Sequence, residues 1–400
     1  MSSKSKTILI LGGSYGGVAV AHYVLKHVIP SLPDKDNYRV SIISTSSHFF
    51  CRPTCPRALV SESSFPRDKL FVPLTTVFAQ YPTSSITIVH GTAVKLDHTN
   101  REQELGYHAL IIATGATAKS PLHGLFSDHT RTEEAWSLFQ KKLPSAKSII
   151  IAGGGPTGVE TAGELAKYLN GNGSGIPITV ITKGRQILPE LPVSVAEKAE
   201  SQLSKLGVSV IKNRAIEKVT PPNAGLADSK NPDLKSVTDS VTIALDNGES
   251  LEADLYIPAT GVVPNTSFVH EQLLDNEGYV QVDSTLRVKN AGNRVYCVGH
   301  VSSSKPRAIH AIMNQTPVIG ENLKRDLLAA ESGTEVKEND YRVLGQDTKV
   351  SQLVVIGSKG VGLAFGWKAP SFLVWLIKGR DYWLGMTPAM WNGKQFEKAS

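Results

Sequence analysis

A strand, a glycine-rich turn and a helix occur in that order twice in the chain, and no other feature narrows its folding so far. Residues 7–11 (Thr-Ile-Leu-Ile-Leu) form a nearly all-apolar run, the pattern of a strand buried on both faces of a parallel sheet. Gly12-Gly13-Ser14-Tyr15-Gly16-Gly17 follows, and then Val18 to Lys26 with helix-compatible composition. Residues 148–152 (Ser-Ile-Ile-Ile-Ala), Gly153-Gly154-Gly155-Pro156-Thr157-Gly158 and Val159 to Leu169 repeat the order, with Gly153 lying 141 positions after Gly12. A second landmark agrees: Ile111-Ile112-Ala113-Thr114-Gly115 recurs 146 positions later as Ile257-Pro258-Ala259-Thr260-Gly261. Glycine lets a strand reverse into a helix within so few residues. The helix start then offers free N–H groups and a positive dipole end to a pyrophosphate. The last glycine lets helix and strand pack closely. One such turn is a weak signal, but two in strand-to-helix context predict two Rossmann-like dinucleotide-binding units.

At 400 residues and 43.0 kDa the chain is too long for one ordinary core. The expected fold class is α/β: two Rossmann-like domains with a small C-terminal α+β domain. Tyr38 to Ser44, Ser85 to Val89 and Ala93 to Leu96 read as strands of the first unit, and Thr132 to Lys142 as a helix before the second. Ile178 to Thr182 and Val208 to Ile211 read as strands, and Ser194 to Leu206, closed by Gly207, as a helix. Pro221 to Asp239 is polar and reads as a long exposed hairpin loop. Tyr279 to Val282 and Arg294 to Val298 are expected to return to the first unit, with Pro306 to Leu328 helical. Residues 340–400 form a third unit beginning with the strand Leu353 to Ile356. The expected domains are 1–125 with 265–335, then 126–264, then 336–400.

Composition excludes several classes. Hydrophobic residues at 41% and charged residues at 20% describe a globular chain. Three cysteines fit a reducing compartment, not a disulfide scaffold. The net charge of +6 permits attraction to phosphates, but the basic residues form no run, so nucleic-acid binding is not expected. No apolar run approaches 18 residues and the N-terminus lacks an apolar signal core, so a cytoplasmic protein is expected. No zinc spacing, Walker loop or Ser-centred elbow occurs, so no metal site is predicted.

The stretches Ile10 to Gly17, Ile111 to Gly115, Ala152 to Glu164, Ala259 to Asn265 and Val295 to Gly299 resemble the flavoprotein oxidoreductases with two dinucleotide-binding domains. The resemblance covers nearly the whole chain and is strongest to the apoptosis-inducing-factor-like branch, which includes ferroptosis suppressors. It implies FAD on the first domain (1–125 with 265–335) and NADH or NADPH on the second (126–264). It also implies hydride transfer from the nicotinamide to the flavin, and electron delivery to a quinone or other small acceptor. The FAD cradle would use Gly12, Gly13, Ser14, Gly16, Gly17, Thr114, Gly115 and Gly299. The NAD(P)H cradle would use Gly153, Gly155, Gly158 and Gly261. The family's carboxylate beside the reacting rings corresponds to Glu160, and its basic partner to Arg57, so an Arg57–Glu160 ion pair is expected there. Association with mitochondria or a membrane surface is a further implication.

Three departures bear on FAD. Ser14 replaces the middle glycine of the first turn. Residues 37–61 hold no acid, so the ribose contact falls to Ser44, Thr45 or backbone. The family's Gly-Asp is Gly299-His300, and an imidazole does not reproduce a carboxylate's charge. A cofactor-weakened redox-sensing or partner-binding protein of the same fold therefore stays open, as does a pathway-specific tailoring oxidoreductase. Cys51 and Cys55 have a spacing that matches neither redox pair of the wider superfamily and read as small buried side chains. The second domain has Thr182-Lys183-Gly184-Arg185 at its strand end, with no acid for a ribose diol. Lys183 and Arg185 suit a 2′-phosphate, so NADPH is expected to be accepted. Pro370 to Met390 reads as an apolar segment packed as a cap on the flavin domain, with an interfacial anchor or quinone-access surface as the other reading.

Overall fold

The computed structural model describes residues 5–97, 106–171, 175–226, 234–345 and 351–398. Strands β1 (Lys6–Leu11), β2 (Tyr38–Ser44), β3 (Ile86–His90) and β4 (Ala109–Ile112) form a parallel sheet in the order β4-β1-β2-β3. Val295–Cys297 joins it beside β4, so a late segment of the chain completes the first sheet. Side chains alternate between faces along a strand. Ile8 and Ile10 accordingly enter the core under the helix α1 (Tyr15–Tyr23), while Leu9 and Leu11 enter a separate core on the other face. A long helix, Ile309–Ser332, crosses α1 so closely that a Cβ on Gly320 would lie 2.2 Å from the Tyr23 ring.

The second sheet repeats this plan. Strands β5 (Ile149–Ala152), β6 (Ile178–Ile181), β7 (Val208–Ile211) and β8 (Leu255–Pro258) run parallel in the order β7-β6-β5-β8. The helix α2 (Pro156–Gly171) follows the glycine turn of β5. A three-stranded antiparallel ribbon, Ile216–Thr220, Val241–Leu245 and Ser250–Ala253, precedes β8. Residues 227–233 of the expected 221–239 loop lie outside the described residues.

The C-terminal unit is an antiparallel sheet of Gln352–Ile356, Lys359–Ala364 and Trp367–Lys368, followed by the short helix Ser371–Val374 and a wide turn, Trp375–Gly379. It sits directly on α2: a Cβ on Gly163 would lie 2.9 Å from the backbone of Ile356 and Gly357. The chain end then returns to the first unit, where Phe396 is buried against Tyr23.

Two expected strands differ from the structure. Among the described residues Ala93 to Leu96 has no strand partner; Leu96 N bonds Phe268 O, and Ala93 and Leu96 pack on the core that Leu9 and Leu11 enter. Tyr279 to Val282 makes only isolated bridges, from Val280 to Leu274 and Ser302 and from Val282 to Val288. Each run lies in a connection where loop backbone supplies the partners.

Candidate functional site

The two glycine turns have nearly the same geometry. Gly12 (φ +116°) and Gly153 (φ +121°) adopt a left-handed backbone, and a Cβ on either would lie 2.3–2.4 Å from the carbonyl of Ala113 or Ala259. Gly17 and Gly158 press against the carbonyls of Gly12 and Gly153, with Cβ positions at 1.8 and 2.0 Å. Only glycine satisfies such approaches. No side chain caps α1, and its first turn holds no acid, so its N–H groups are free for an anion. Gly155, at the start of α2, has open space within 4 Å of its Cβ direction, as do Gly115 and Gly261.

The two Ala-Thr-Gly strand ends lie side by side. Ala116–Ala118 pairs antiparallel with Val262–Pro264. Asn265 Nδ2 donates to Thr114 O, Thr114 Oγ1 donates to Asn265 O, and Thr117 Oγ1 donates to Asn265 Oδ1, each at 2.8 Å. The segments that follow the two Ala-Thr-Gly repeats are thus a contact between the two units.

The first cradle is altered where the sequence departs from the family. Ser14 takes the position before α1 with an extended backbone and makes no cap bond. Ser44 Oγ donates to Ser46 O at 2.7 Å and lies against Gly13, whose Cβ would be 2.7 Å away. That hydroxyl is engaged by its own loop, not turned to a ribose. Gly16 packs on Val298. Gly299 (φ +78°) donates its N–H to Gln315 Oε1 at 3.0 Å. Burial, with Arg52 and Arg307 nearby, lowers His300 to about 4, so it is neutral at pH 7.

Arg57 and Glu160 do not form the expected ion pair. Arg57 grips Glu164 with two bonds, Nε to Oε2 at 3.0 Å and Nη2 to Oε1 at 2.8 Å, while Tyr382 donates its hydroxyl to Glu164 at 3.0 Å. Arg57 also caps the carbonyls of Gly379 and Arg380 and stacks on the Tyr382 ring. Glu160 instead accepts from Lys378 Nζ at 2.6 Å and from Val355 N at 2.9 Å. The physical reason is that Glu160 and Glu164, four apart on α2, share a face. Two buried carboxylates require two cations, and the C-terminal unit brings the second. Burial pushes the Glu160 carboxyl up, against the opposing pull of Lys378. Burial opposes the charge of Arg57, but its bonds to Glu164 hold the guanidinium's pKa above its ordinary value. The cluster clamps the C-terminal unit onto α2. Lys378 carries a faint sequence signal, as a single cation inside the run Phe-Leu-Val-Trp-Leu-Ile-Lys.

A second cation, Arg52, escaped the sequence reading. Its Nε donates to His123 O at 3.2 Å and its Nη1 to Ala116 O at 2.9 Å, and among the described residues no carboxylate pairs with it. Burial and Arg52 together lower His123 to about 4. Arg52 therefore stands between two neutral imidazoles, His123 and His300. The nearby thiols are not activated: all three cysteines are free and buried, and burial raises Cys51 and pushes Cys55 to about 12. Without a thiolate fraction, Cys51 and Cys55 have no nucleophile for disulfide exchange. Among the described residues no group of His, Cys, Asp and Glu side chains could hold a metal ion.

Two cradles of this kind on two parallel sheets define a two-dinucleotide reductase fold. The family model "Pyridine nucleotide-disulphide oxidoreductase" matches residues 6–316, and the chain belongs to that family. It is 45% identical to oxidoreductase phnG of Penicillium herquei over 100% of this chain and 99% of the relative. It is 25% identical to apoptosis-inducing factor 1 of Saccharomyces cerevisiae, over 95% of this chain and 97% of the relative, in keeping with the apoptosis-inducing-factor-like branch. The fold matches NDH2 of Plasmodium falciparum with a TM-score of 0.65 at 15% identity, over 99% of each chain. The protein is an FAD-dependent NAD(P)H oxidoreductase. The uncapped α1 start and the open Gly115 fit the FAD pyrophosphate, and the open Gly155 and Gly261 fit that of NAD(P)H.

Proposed function

We propose that the chain reduces a flat, lipophilic, quinone-like acceptor with electrons drawn from NADPH or NADH. Bound FAD would supply the hydride-accepting and electron-transferring chemistry. The protein's part is to bind and orient. Gly12, Gly13, Ser14, Gly16 and Gly17 hold one pyrophosphate against α1, and Gly153, Gly155 and Gly158 hold the other against α2. Thr114 and Thr117 bond Asn265 and so join the segment after the first Ala-Thr-Gly strand end to the segment after the second, and this junction is the observation that carries the reading. Arg52 supplies a positive charge in the first cradle region, between neutral His123 and His300. Glu160 and Arg57 act by fixing the C-terminal unit, with no proton transfer assigned to either.

The deciding experiment is an absorbance scan of the purified protein, followed by anaerobic titration with NADPH and NADH. A stoichiometric flavin band that bleaches on nucleotide addition is expected, with the colour returning on addition of a short-chain quinone. A colourless protein, or a flavin that neither nucleotide bleaches, would remove the reading. Gly155→Val should fold normally, since open space receives the side chain. It should weaken NADPH binding by about tenfold or more by blocking the close phosphate approach, leaving flavin content unchanged.

The acceptor class is supported by the C-terminal surface. Phe365, Trp367, Phe372, Trp375, Leu376, Ile377 and Met386 are exposed large apolar side chains. Residues 351–380 hold no Asp or Glu, and Lys359, Lys368 and Arg380 are exposed among them. Exposed aromatic side chains and exposed cations in one stretch without acids suit peripheral contact with an anionic lipid surface, where a lipophilic acceptor is concentrated. No described helix is long and apolar enough to cross a membrane. Co-sedimentation with vesicles containing phosphatidylserine is expected, and Trp375→Ala with Phe372→Ala should abolish it. Equal recovery with and without vesicles would contradict this placement.

A further inference from the structure

The turn after β6 meets the loop after β7 through two backbone hydrogen bonds. Asn213 N donates to Gly184 O at 3.1 Å, and Arg214 N donates to Thr182 O at 3.2 Å. Asn213 takes a left-handed backbone (φ +55°), which Asn tolerates better than most residues. That conformation folds the loop back onto the β6 strand end. Thr182 itself lies against the glycine cradle, where a Cβ on Gly154 would be 2.9 Å from its own Cβ. In a dinucleotide-binding unit this strand end is where the adenosine ribose presents its 2′ position.

The result is three cations on two segments joined backbone to backbone. Lys183 and Arg185 flank Gly184 in the turn, and Arg214 arrives from the neighbouring loop. Among the described residues none of the three has a carboxylate within 4.0 Å. Lys212, one residue away from this group, does have such a partner in Glu200 at 2.9 Å. Arg214 Nη1 meets only the carbonyl of Asn213, at 2.8 Å. Asp246 meets this loop only through its N–H, which bonds Ala215 O, and among the described residues its carboxylate makes no ion pair. Lys183 and Arg185 were legible from the sequence, but Arg214 becomes visible only through the contact between loops.

We propose that Arg214 is a specificity-determining residue that closes with Lys183 and Arg185 on the 2′-phosphate of NADPH, so that the protein prefers NADPH to NADH. The inference rests on the reading of the second cradle as the nicotinamide-nucleotide site. A guanidinium fork matches a phosphate with two parallel donors, and a diol in the same place offers no charge to match.

Calorimetric titration of the purified protein with 2′,5′-ADP and with 5′-ADP tests this independently of the flavin. The first is expected to bind about 10- to 100-fold more tightly, the worth of one charge-assisted hydrogen bond. Added salt should narrow the gap. Arg214→Ala should remove most of the preference, Arg214→Lys should keep part of it, and both should leave 5′-ADP binding unchanged. Equal affinity for the two nucleotides, or an equal loss of both in Arg214→Ala, overturns the clamp while leaving the cradle intact. Failure of both nucleotides to bind overturns the cradle and the clamp together.

Discussion

Lys378→Met is expected to destabilise the protein by about 3–5 kcal/mol, because it strands a carboxylate in the interior. Glu160 and Lys378 are only 4% and 7% exposed, and their charged atoms are 2.6 Å apart. Glu160→Gln alone should cost a similar amount by stranding the ammonium. The double variant should cost far less than the sum, since the new amide still accepts from Val355 N and methionine fills the stem of the lysine. Urea unfolding of the four proteins gives the coupling energy directly. Because Lys378 comes from the C-terminal unit and Glu160 from α2, the single variants should also loosen that unit, read as faster proteolysis near residue 351. A Lys378→Met unfolding free energy within about 1 kcal/mol of the parent would show that the pair holds little together.

This pair shows where the sequence stopped being informative. The glycine turns were legible because they are local: Gly12 and Gly153 are required by backbone that no side chain can enter, and the residues saying so are adjacent. The two acids at Glu160 and Glu164 were legible too. Their partners were not, because one helix face accepts a cation from any element that packs on it. Lys378 lies 218 positions from Glu160, and the choice of Glu164 for Arg57 was settled by a C-terminal sheet whose docking site, Gly163, carries no chemical signature. Arg52 was missed because its partners are carbonyls and neutral imidazoles, which leave no charge pattern. Pro370 to Met390 is buried only in part. Tyr382 and Thr387 are buried, while Phe372, Leu376 and Ile377 face outward, a partition set by three-dimensional packing and not by composition.

Acid should weaken the fold steeply below pH 6.5. His22, His123 and His300 are each lowered from 6.5 to about 4, with burial the first cause in every case. A base held neutral in the folded chain takes up its proton first in the unfolded chain. As pH falls below 6.5 the unfolded state gains protons that the folded state refuses, so stability is lost from there down to about 4 and the loss levels off below it. Each histidine contributes a slope of about 1.4 kcal/mol per pH unit, so the three together approach about 4 kcal/mol per unit at the steepest point. Asp128, lowered to about 2 by bonds from Ser47 and Thr130 that outweigh its burial, destabilises only below about 4, so the two windows separate. His22 is the cleanest test, because it lies in the last turn of α1, at the end away from the glycine turn, and is held by Tyr81 OH and Trp391 O, each at 2.8 Å. His22→Gln keeps a donor for the carbonyl but cannot titrate. Its melting temperature should fall with pH between 6.5 and 4.5 less steeply than that of the parent, by the share of one histidine. An unchanged slope would assign the acid loss to other groups.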